Sequence, residues 1–458
     1  MVRLGRHGDS WFRRRVQRIP PPAVDGAGRT RIVDVELSLP LAPLEAAGWS
    51  SAHLVVRLHG QPLGTVDVDL SDGPVSPARV REHVEARLAG PVQRHLRADG
   101  IDRVDQTCAP GHDRHRCLEA LEPPAPAPLV TVVIPTHNRA EQLRAGLDSM
   151  LRLTYPALEV VVVDNAPSDS STRDMVKNEF AFDPRIRYVH VSRAGASRAR
   201  NIGARLANGE FLAFTDDDAV VDPLWVSGLI AGFRDDPGVA CVTGLTLPAS
   251  LETPAERAFE LFGGMGLGFE PRIFDLQENR GVTLLYPYTA GFGASNNVAF
   301  RRREFFELGG FDVTLGPATP VYGAEDLDLL LAVILAGHRI AYQPSACVRH
   351  RHRETFSELY WQVFTYSAGM TALLTKVFLS DRRVAADLAR RVPKLLPAAF
   401  LRSHRSGEEV GVGRYAPEIR WLERLGFLYG PLAYARSRIA TRESDSGLRD
   451  AEWEPISR

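Results

Sequence analysis

Cysteine is scarce in this chain. Cys108, Cys117, Cys241 and Cys347 are four residues in 458, too few and too scattered for a disulfide framework, which suits a reducing compartment. Long apolar runs are missing as well: Leu329 to Ala336 is short and bracketed by Asp328 and His338, well below the roughly 18–20 residues a bilayer crossing needs. No membrane span is expected. Neither charge sign dominates, with 55 basic against 56 acidic residues, so nothing chain-wide attracts nucleic acid. The arginines near the start, Arg3, Arg6, Arg13, Arg14, Arg15 and Arg18, are followed by no apolar core of signal-peptide length. They read as a solvated arm with membrane-surface contact as the competing reading, and the chain is expected in the cytoplasm.

What is present is 44% hydrophobic residues, enough to bury a sizeable core in two or three units. Arg31 to Leu39, His53 to Arg57 and Thr65 to Leu70 are strand-like, with a turn over Gly60 to Gly64. Ser76-Pro77 then signals a helix start, and Val80, Val84, Leu88, Val92 and Leu96 recur at helical spacing. This is a small α+β unit. Cys108, His112, His115 and Cys117 are zinc-type ligands, but their spacing matches no common zinc pattern and a polar loop is expected. Glu122 to Pro128 is a proline-rich spacer. The expected divisions are an accessory domain at residues 1–122, a linker at 123–128, a catalytic domain at 129–355 and a helical region at 356–458.

From Leu129 onward, short apolar strands alternate with helical stretches: Leu129 to Ile134, Glu159 to Val163, Ile186 to Val191 and Glu210 to Phe214. Their repeat is that of βαβ units, which predicts an α/β domain with a mostly parallel, Rossmann-like sheet flanked by helices. Ligands of such sheets gather beyond the carboxyl ends of the strands. Those ends read Pro135-Thr136-His137-Asn138-Arg139, Asp164-Asn165, and Thr215 followed by Asp216, Asp217 and Asp218. Three adjacent carboxylates repel one another unless a cation compensates, and magnesium or manganese prefers carboxylate oxygens and bridges to phosphates.

These stretches, with Ala199-Arg200-Asn201, the run Gly291 to Asn297, Phe300-Arg301-Arg302, Gly309-Gly310-Phe311-Asp312 and Glu325-Asp326-Leu327-Asp328-Leu329, resemble family 2 glycosyltransferases over about Leu129 to His352. The resemblance implies a GT-A fold and inverting transfer from a nucleotide-diphosphate sugar to a glycan, a lipid-linked acceptor or a small molecule. It also implies that Pro135, Thr136, Asn138, Arg139 and Asp164 line the nucleotide pocket and that Arg200 and Asn201 close it. Asp216 and Asp218 match the metal-binding aspartates, with Asp217 between them reaching toward ribose or sugar. Asp326 matches the general base and Glu325 a sugar ligand. His350 or His352, after a strand over Ala341 to Val348, stands where a histidine joins the metal, and His350 is favoured. Gly291 and Gly293 let backbone approach the donor, with Ser295 and Asn296 hydrogen bonding.

The Gln-x-x-Arg-Trp motif and the membrane helices of processive members are not seen, so one sugar per encounter is expected. Helices over Phe378 to Leu401 and Trp421 to Ile439 mix apolar residues with arginine, and either pack on the core or lie peripherally at the inner face of the membrane. A non-catalytic nucleotide- or glycan-binding subunit is the alternative function. A dinucleotide oxidoreductase is disfavoured because no Gly-x-Gly-x-x-Gly follows the first strand.

Overall fold

The computed structural model describes residues 28–101, 103–104, 115–261, 263–276, 291–380, 385–386 and 417–445. The basic arm, Cys108, His112 and most of the stretch from Phe378 to Leu401 lie outside the described residues.

Strands β1 (Thr30–Glu36), β2 (Ser51–Leu58) and β3 (Gln61–Asp69) form a three-stranded sheet, β1 parallel to β2 and β2 antiparallel to β3. The turn after β2 is tighter than expected: His59 and Gly60 alone reverse the chain, at φ 53° and 77°, and β3 resumes at Gln61. Two successive positive φ values are the demand of a two-residue hairpin. The Glu36 carboxylate holds it, accepting from the backbone N–H of His59 at 3.0 Å and of Gly60 at 2.8 Å. Helix α1 (Pro77–Asp99) is capped by Ser76, opens on Pro77, and buries Val80, Val84, Leu88, Val92 and Leu96 against this sheet. A short helix α2 (Arg116–Glu119) precedes the proline-rich linker.

The second unit runs β4 (Val130–Thr136), α3 (Ala140–Met150), β5 (Leu158–Asn165), α4 (Ser171–Glu179), β6 (Ile186–Val191), α5 (Ala196–Leu206), β7 (Phe211–Phe214), β8 (Ala219–Val221), α6 (Trp225–Arg234) and β9 (Val239–Pro248). It continues through α7 (Pro254–Leu261), β10 (Arg272–Phe274), β11 (Val298–Arg301), α8 (Arg302–Glu307), α9 (Glu325–Leu335) and β12 (Arg339–His350). Nine strands make one sheet in the order β10-β12-β9-β11-β7-β4-β5-β6, with β8 beside β12. The neighbours β7, β4, β5 and β6 are parallel, as the βαβ spacing predicts, while β11, inserted antiparallel between β7 and β9, makes the sheet mixed.

Strand periodicity explains why the apolar runs are continuous. Val130, Val132 and Ile134 face one layer with Leu143 and Leu147 of α3 and Trp225 of α6, whereas Val133, Val161 and Val163 face the other with Ala199 of α5 and Leu330 and Ile334 of α9. Each fully buried aliphatic side chain contributes roughly 1.5–3 kcal/mol before entropy is counted. Pro135 is tolerated inside β4 because pairing with β7 stops at Val133, so no ladder bond to β7 is lost there.

Strand β12 breaks register against β9 between Gln343 and Cys347, where Pro344 cannot donate to a ladder. Asn297 fills the break. Its Nδ2 donates to Leu245 O at 3.0 Å and Ala346 O at 2.9 Å, and its Oδ1 accepts from Trp225 Nε1 at 2.8 Å. Beyond the strand, α10 (Phe356–Ser380) and α11 (Pro417–Asp445) pack together. Among the described residues α10 is the helix long and apolar enough to cross a membrane by length and composition. It buries Leu359, Phe364, Ala368, Ala372 and Leu373 within the protein, and Lys376 donates to Asp328 of α9.

The two units meet through ion pairs and a small apolar cluster. Arg57 of β2 reaches Asp222 at 2.8 Å and Asp34 at 3.0 Å, while Arg349 of β12 reaches the same Asp34 at 2.7 Å. Val55 packs with Leu245, Leu247 and Tyr342.

Replacing Asn297 with alanine strands one buried N–H and two carbonyls. The expected loss is about 2–4 kcal/mol, read as a lower midpoint in denaturant unfolding with an unchanged slope.

Candidate active site

The carboxyl ends of β4, β5 and β7 form one rim. Thr136, the last residue of β4, donates from its hydroxyl to Asp217 Oδ2 at 2.9 Å. Arg139 Nη1 reaches Asp217 Oδ1 and Asp218 Oδ2, both at 3.1 Å. Asp217 is thereby turned back toward the base of the loop. Burial raises its pKa to about 6, against the pull of Arg139.

Asp216 and Asp218, two residues apart on the turn after β7, converge with the imidazole of His350. Their candidate ligand atoms all lie within 4.8 Å of one another. His350 Nε2 is 3.0 Å from Asp218 Oδ1 and 3.9 Å from Asp216 Oδ2. Pairing of β12 with β8 sets His350 opposite Ala219, so β12 extends two residues beyond the expected Val348 and His350 is its last residue. Burial would lower the His350 pKa, but the hydrogen bond and charge of Asp218 raise it, and His350 holds the Asp218 pKa down in turn. The buried Nδ1 of His350 has no hydrogen-bond partner. Two carboxylates and an imidazole suit a divalent cation. His352 points elsewhere, with its Nε2 2.5 Å from Glu260 Oε1.

Glu325 and Asp326 begin α9. Arg200 of α5, 4% exposed, donates from Nη1 to Glu325 Oε1 at 2.8 Å and from Nη2 to Asp216 Oδ1 at 2.7 Å. One guanidinium therefore joins the putting-together of both acidic clusters. Burial and the charge of Asp326 raise the Glu325 pKa to about 7 despite Arg200. Asp326 is half-buried; its Oδ2 accepts from the Ser295 N–H at 3.2 Å and its Oδ1 from the Leu327 N–H at 2.8 Å. Burial raises its pKa as well.

Asp164, at the end of β5, is fully buried. Tyr188 donates to its Oδ2 at 2.7 Å while Oδ1 keeps no partner, which leaves one acceptor oxygen for a ligand donor. Asn138, at φ 55°, accepts at Oδ1 from the Ser168 N–H at 2.8 Å. Asn201 spends its amide on the backbone of Phe311, donating at 2.7 Å and accepting at 2.9 Å, and so clips the Gly310-Phe311 turn to α5. Asn296 accepts at its backbone oxygen from Thr215. Gly293 sits at φ 124°, where a Cβ would lie 2.6 Å from Thr243, so close packing on β9 already requires the glycine.

Of the seven non-glycine residues with positive φ among those described, five (Asn138, Ala166, Ala318, Tyr322 and Ala324) border this rim or lead into α9. Each costs of order 1 kcal/mol or more and persists because its surroundings impose it. Sequence reading missed Lys376, which lies 2.6 Å from both Asp312 and Asp328 and ties the Gly-Gly-Phe-Asp turn to α9. A lysine within an apolar helical stretch was the available signal.

The carboxyl ends of these parallel strands thus carry a polar rim, the cluster Asp216, Asp218 and His350 that could hold a metal ion, and a second pair of acids at Glu325 and Asp326. Residues 131–298 match the glycosyl transferase family 2 model, so that stretch is similar to a family of glycosyltransferases. The chain is 27% identical over 244 residues to a glucosyl-dolichyl phosphate glucuronosyltransferase of Haloferax volcanii, covering 51% of this chain and 73% of that protein. Over 228 residues it is 31% identical to a pre-mycofactocin glycosyltransferase of Mycobacterium tuberculosis, covering 49% of this chain and 43% of the relative. A validoxylamine A glucosyltransferase of Streptomyces hygroscopicus is 29% identical over 303 residues, covering 60% and 63%. The chain thus spans less than two thirds of the length of two of these relatives. Among solved structures, the mannosyltransferase PcManGT from Pyrobaculum calidifontis in complex with GDP-Man and Mn2+ aligns at a TM-score of 0.41 and 19% identity, over 81% of this chain and 88% of that one.

Replacing His350 with alanine is expected to weaken manganese binding, measured calorimetrically without nucleotide, by at least the roughly 10- to 100-fold that losing even an outer partner of a ligand costs. His352→Ala leaves it unchanged.

Proposed function

We propose that the site moves a sugar from a nucleotide-diphosphate donor to an acceptor hydroxyl with inversion at the anomeric carbon. The observation that carries this reading is the Arg200 bridge, which sets the cation side at Asp216 against the acid pair Glu325 and Asp326. Asp216, Asp218 and His350 would hold manganese or magnesium, which supplies positive charge for the departing diphosphate. Asp164, through its unpartnered oxygen, receives a donor hydrogen of the nucleotide, and Thr136 and Arg139 keep Asp217 in place beneath it.

Asp326 acts as general base. It takes the acceptor hydroxyl proton as that oxygen bonds to the anomeric carbon and the bond to the diphosphate breaks. Its two backbone donors fix the carboxylate, and its raised pKa makes it a stronger base than an exposed aspartate. Glu325, braced by Arg200, orients the sugar. The relatives' names give a glucosyl-dolichyl phosphate, pre-mycofactocin and validoxylamine A, and we take the acceptor here to be a glycan, lipid-linked or small-molecule hydroxyl. In the Asp326→Asn variant, transfer is expected to fall by at least roughly 10³-fold while nucleotide affinity holds. The assay follows nucleoside-diphosphate release from a panel of nucleotide sugars with manganese. Normal turnover in that variant removes Asp326 as base, and no release from any donor by the unaltered chain favours a binding subunit.

We also propose that the enzyme is cytoplasmic and rests on the inner face of the membrane. Helix α11 buries Ile419, Leu422, Ala433, Tyr434 and Ser437 on one side and exposes Trp421, Leu428, Leu432 and Ile439 on the other. Arg424, Arg436 and Arg438 flank the exposed stripe, the pattern of an interfacial helix. Co-sedimentation with anionic phosphatidylglycerol vesicles is expected for the unaltered chain and lost when Trp421 and Leu428 both become glutamate. Equal sedimentation of the two proteins overturns the membrane reading.

A further inference from the structure

A second cluster of ligand-type side chains lies in the amino-terminal unit, away from the sugar-transfer site. His59 sits in the β2–β3 hairpin, His95 and Asp99 lie four residues apart on the last turns of α1, and Cys117 is on α2. His59 Nδ1 is 2.9 Å from Asp99 Oδ2, 3.2 Å from His95 Nε2 and 3.3 Å from Cys117 Sγ, and His95 Nε2 is 3.4 Å from Asp99 Oδ2. These four atoms all lie within 4.8 Å of one another.

Hydrogen bonding does not account for the arrangement. A neutral imidazole nitrogen either donates one proton or accepts at one lone pair, yet His59 Nδ1 has three close polar neighbours. Asp99, whose side chain is 0% exposed, has no hydrogen bond at Oδ2. A buried carboxylate oxygen in that position is costly unless something cationic satisfies it. Atoms held about 2.0–2.3 Å from a tetrahedral zinc lie roughly 3.3–3.6 Å from one another, and four of the six separations, 2.9, 3.2, 3.3 and 3.4 Å, fall within a few tenths of an ångström of those edges.

The surroundings are built to hold the four groups still. Asp99 Oδ1 accepts from the Cys117 N–H at 2.7 Å, leaving Oδ2 to face the imidazoles. Gln61 donates to the Cys117 carbonyl at 2.8 Å. His115 stacks on the His59 ring with centroids 3.6 Å apart, and Glu36 fixes the turn that presents His59. Such outer contacts orient the ligands of a metal.

We propose that His59 Nδ1, His95 Nε2, Asp99 Oδ2 and Cys117 Sγ form a four-coordinate structural zinc site. Two imidazoles, a carboxylate and a thiolate are a zinc-type set, distinct from the oxygen-rich cluster at Asp216 and Asp218. On binding, the Cys117 thiol releases its proton to solvent and the thiolate completes the shell. All four positions come from protein, so the site is closed and its role is to pin the hairpin, the end of α1 and the segment entering the linker. The ligand-type residues clustered in the sequence, Cys108, His112, His115 and Cys117, match no common zinc spacing; two of the proposed ligands, His59 and His95, are distant in sequence and reach Cys117 through the fold.

Cobalt reports this directly, because a cobalt–thiolate bond gives a charge-transfer absorption that the sulfur-free cluster at Asp216, Asp218 and His350 cannot give. The full chain, stripped with chelator and titrated with cobalt, is expected to develop this band to one equivalent and lose it on adding one equivalent of zinc. The band should vanish in Cys117→Ser, weaken in His95→Asn, and persist in Cys108→Ser and Asp218→Asn. Absence of the band in the unaltered chain, or its survival in Cys117→Ser, overturns the proposal; the first measurement needs no variant to fold.

Discussion

Five carboxylates, Asp216, Asp217, Asp218, Glu325 and Asp326, gather at one end of the sheet, and they can do so because two arginines divide their charge. Arg200 lies between Asp216 and Glu325, and Arg139 between Asp217 and Asp218. Unpaired, buried acids at such spacing would neutralise by taking up protons, and the raised pKa values of Asp217 and Glu325 show how far that tendency persists even with the arginines present. The arginines also sort the acids: Asp217 is held by Thr136 and Arg139, Asp216 and Asp218 also face His350, and Asp326 makes no ion pair with a guanidinium among the described residues although Arg200 lies near enough to act on its charge. Asp216 and Glu325 are thus held apart by a single planar group.

Much of this was legible in the sequence where chemistry follows local order. The strands β4, β5, β6 and β7 and the polar residues that end them are contiguous, so apolar runs and their terminators sufficed. The helix at Ser76-Pro77 announced itself through its cap. What could not be read were partnerships across long separations. Asn297 reads as one more polar residue in a glycine-rich turn, yet it repairs the break that Pro344 forces on β12. Asn201 reads as a pocket residue, yet its amide is engaged with Phe311. Which of three aspartates faces the histidine depends on Arg139, some eighty residues away, and no periodicity encodes that.

The amino-terminal unit is joined to the larger sheet by ion pairs shared across the junction as well as by the apolar cluster around Val55. Arg57 is only 10% exposed at its side chain and is satisfied jointly by Asp34 of its own sheet and Asp222 of the other unit. A buried charge with partners on both sides of a junction disfavours separation, since parting the units would strand it. The unit therefore bears on the loop between β8 and α6, which the short strand β8 separates from the aspartate turn.

The placement of His350 on the last pleat of β12 has a consequence for assembly. Side chains alternate across a strand, so slipping β12 by one residue against β8 would turn His350 to the opposite face and bring Arg349 to the acids instead. The break between Gln343 and Cys347, stapled by Asn297, sets the phase of everything beyond it. Convergence of the three side chains thereby reports strand alignment: a misthreaded molecule and a correctly threaded one differ in whether Asp216, Asp218 and His350 meet at all.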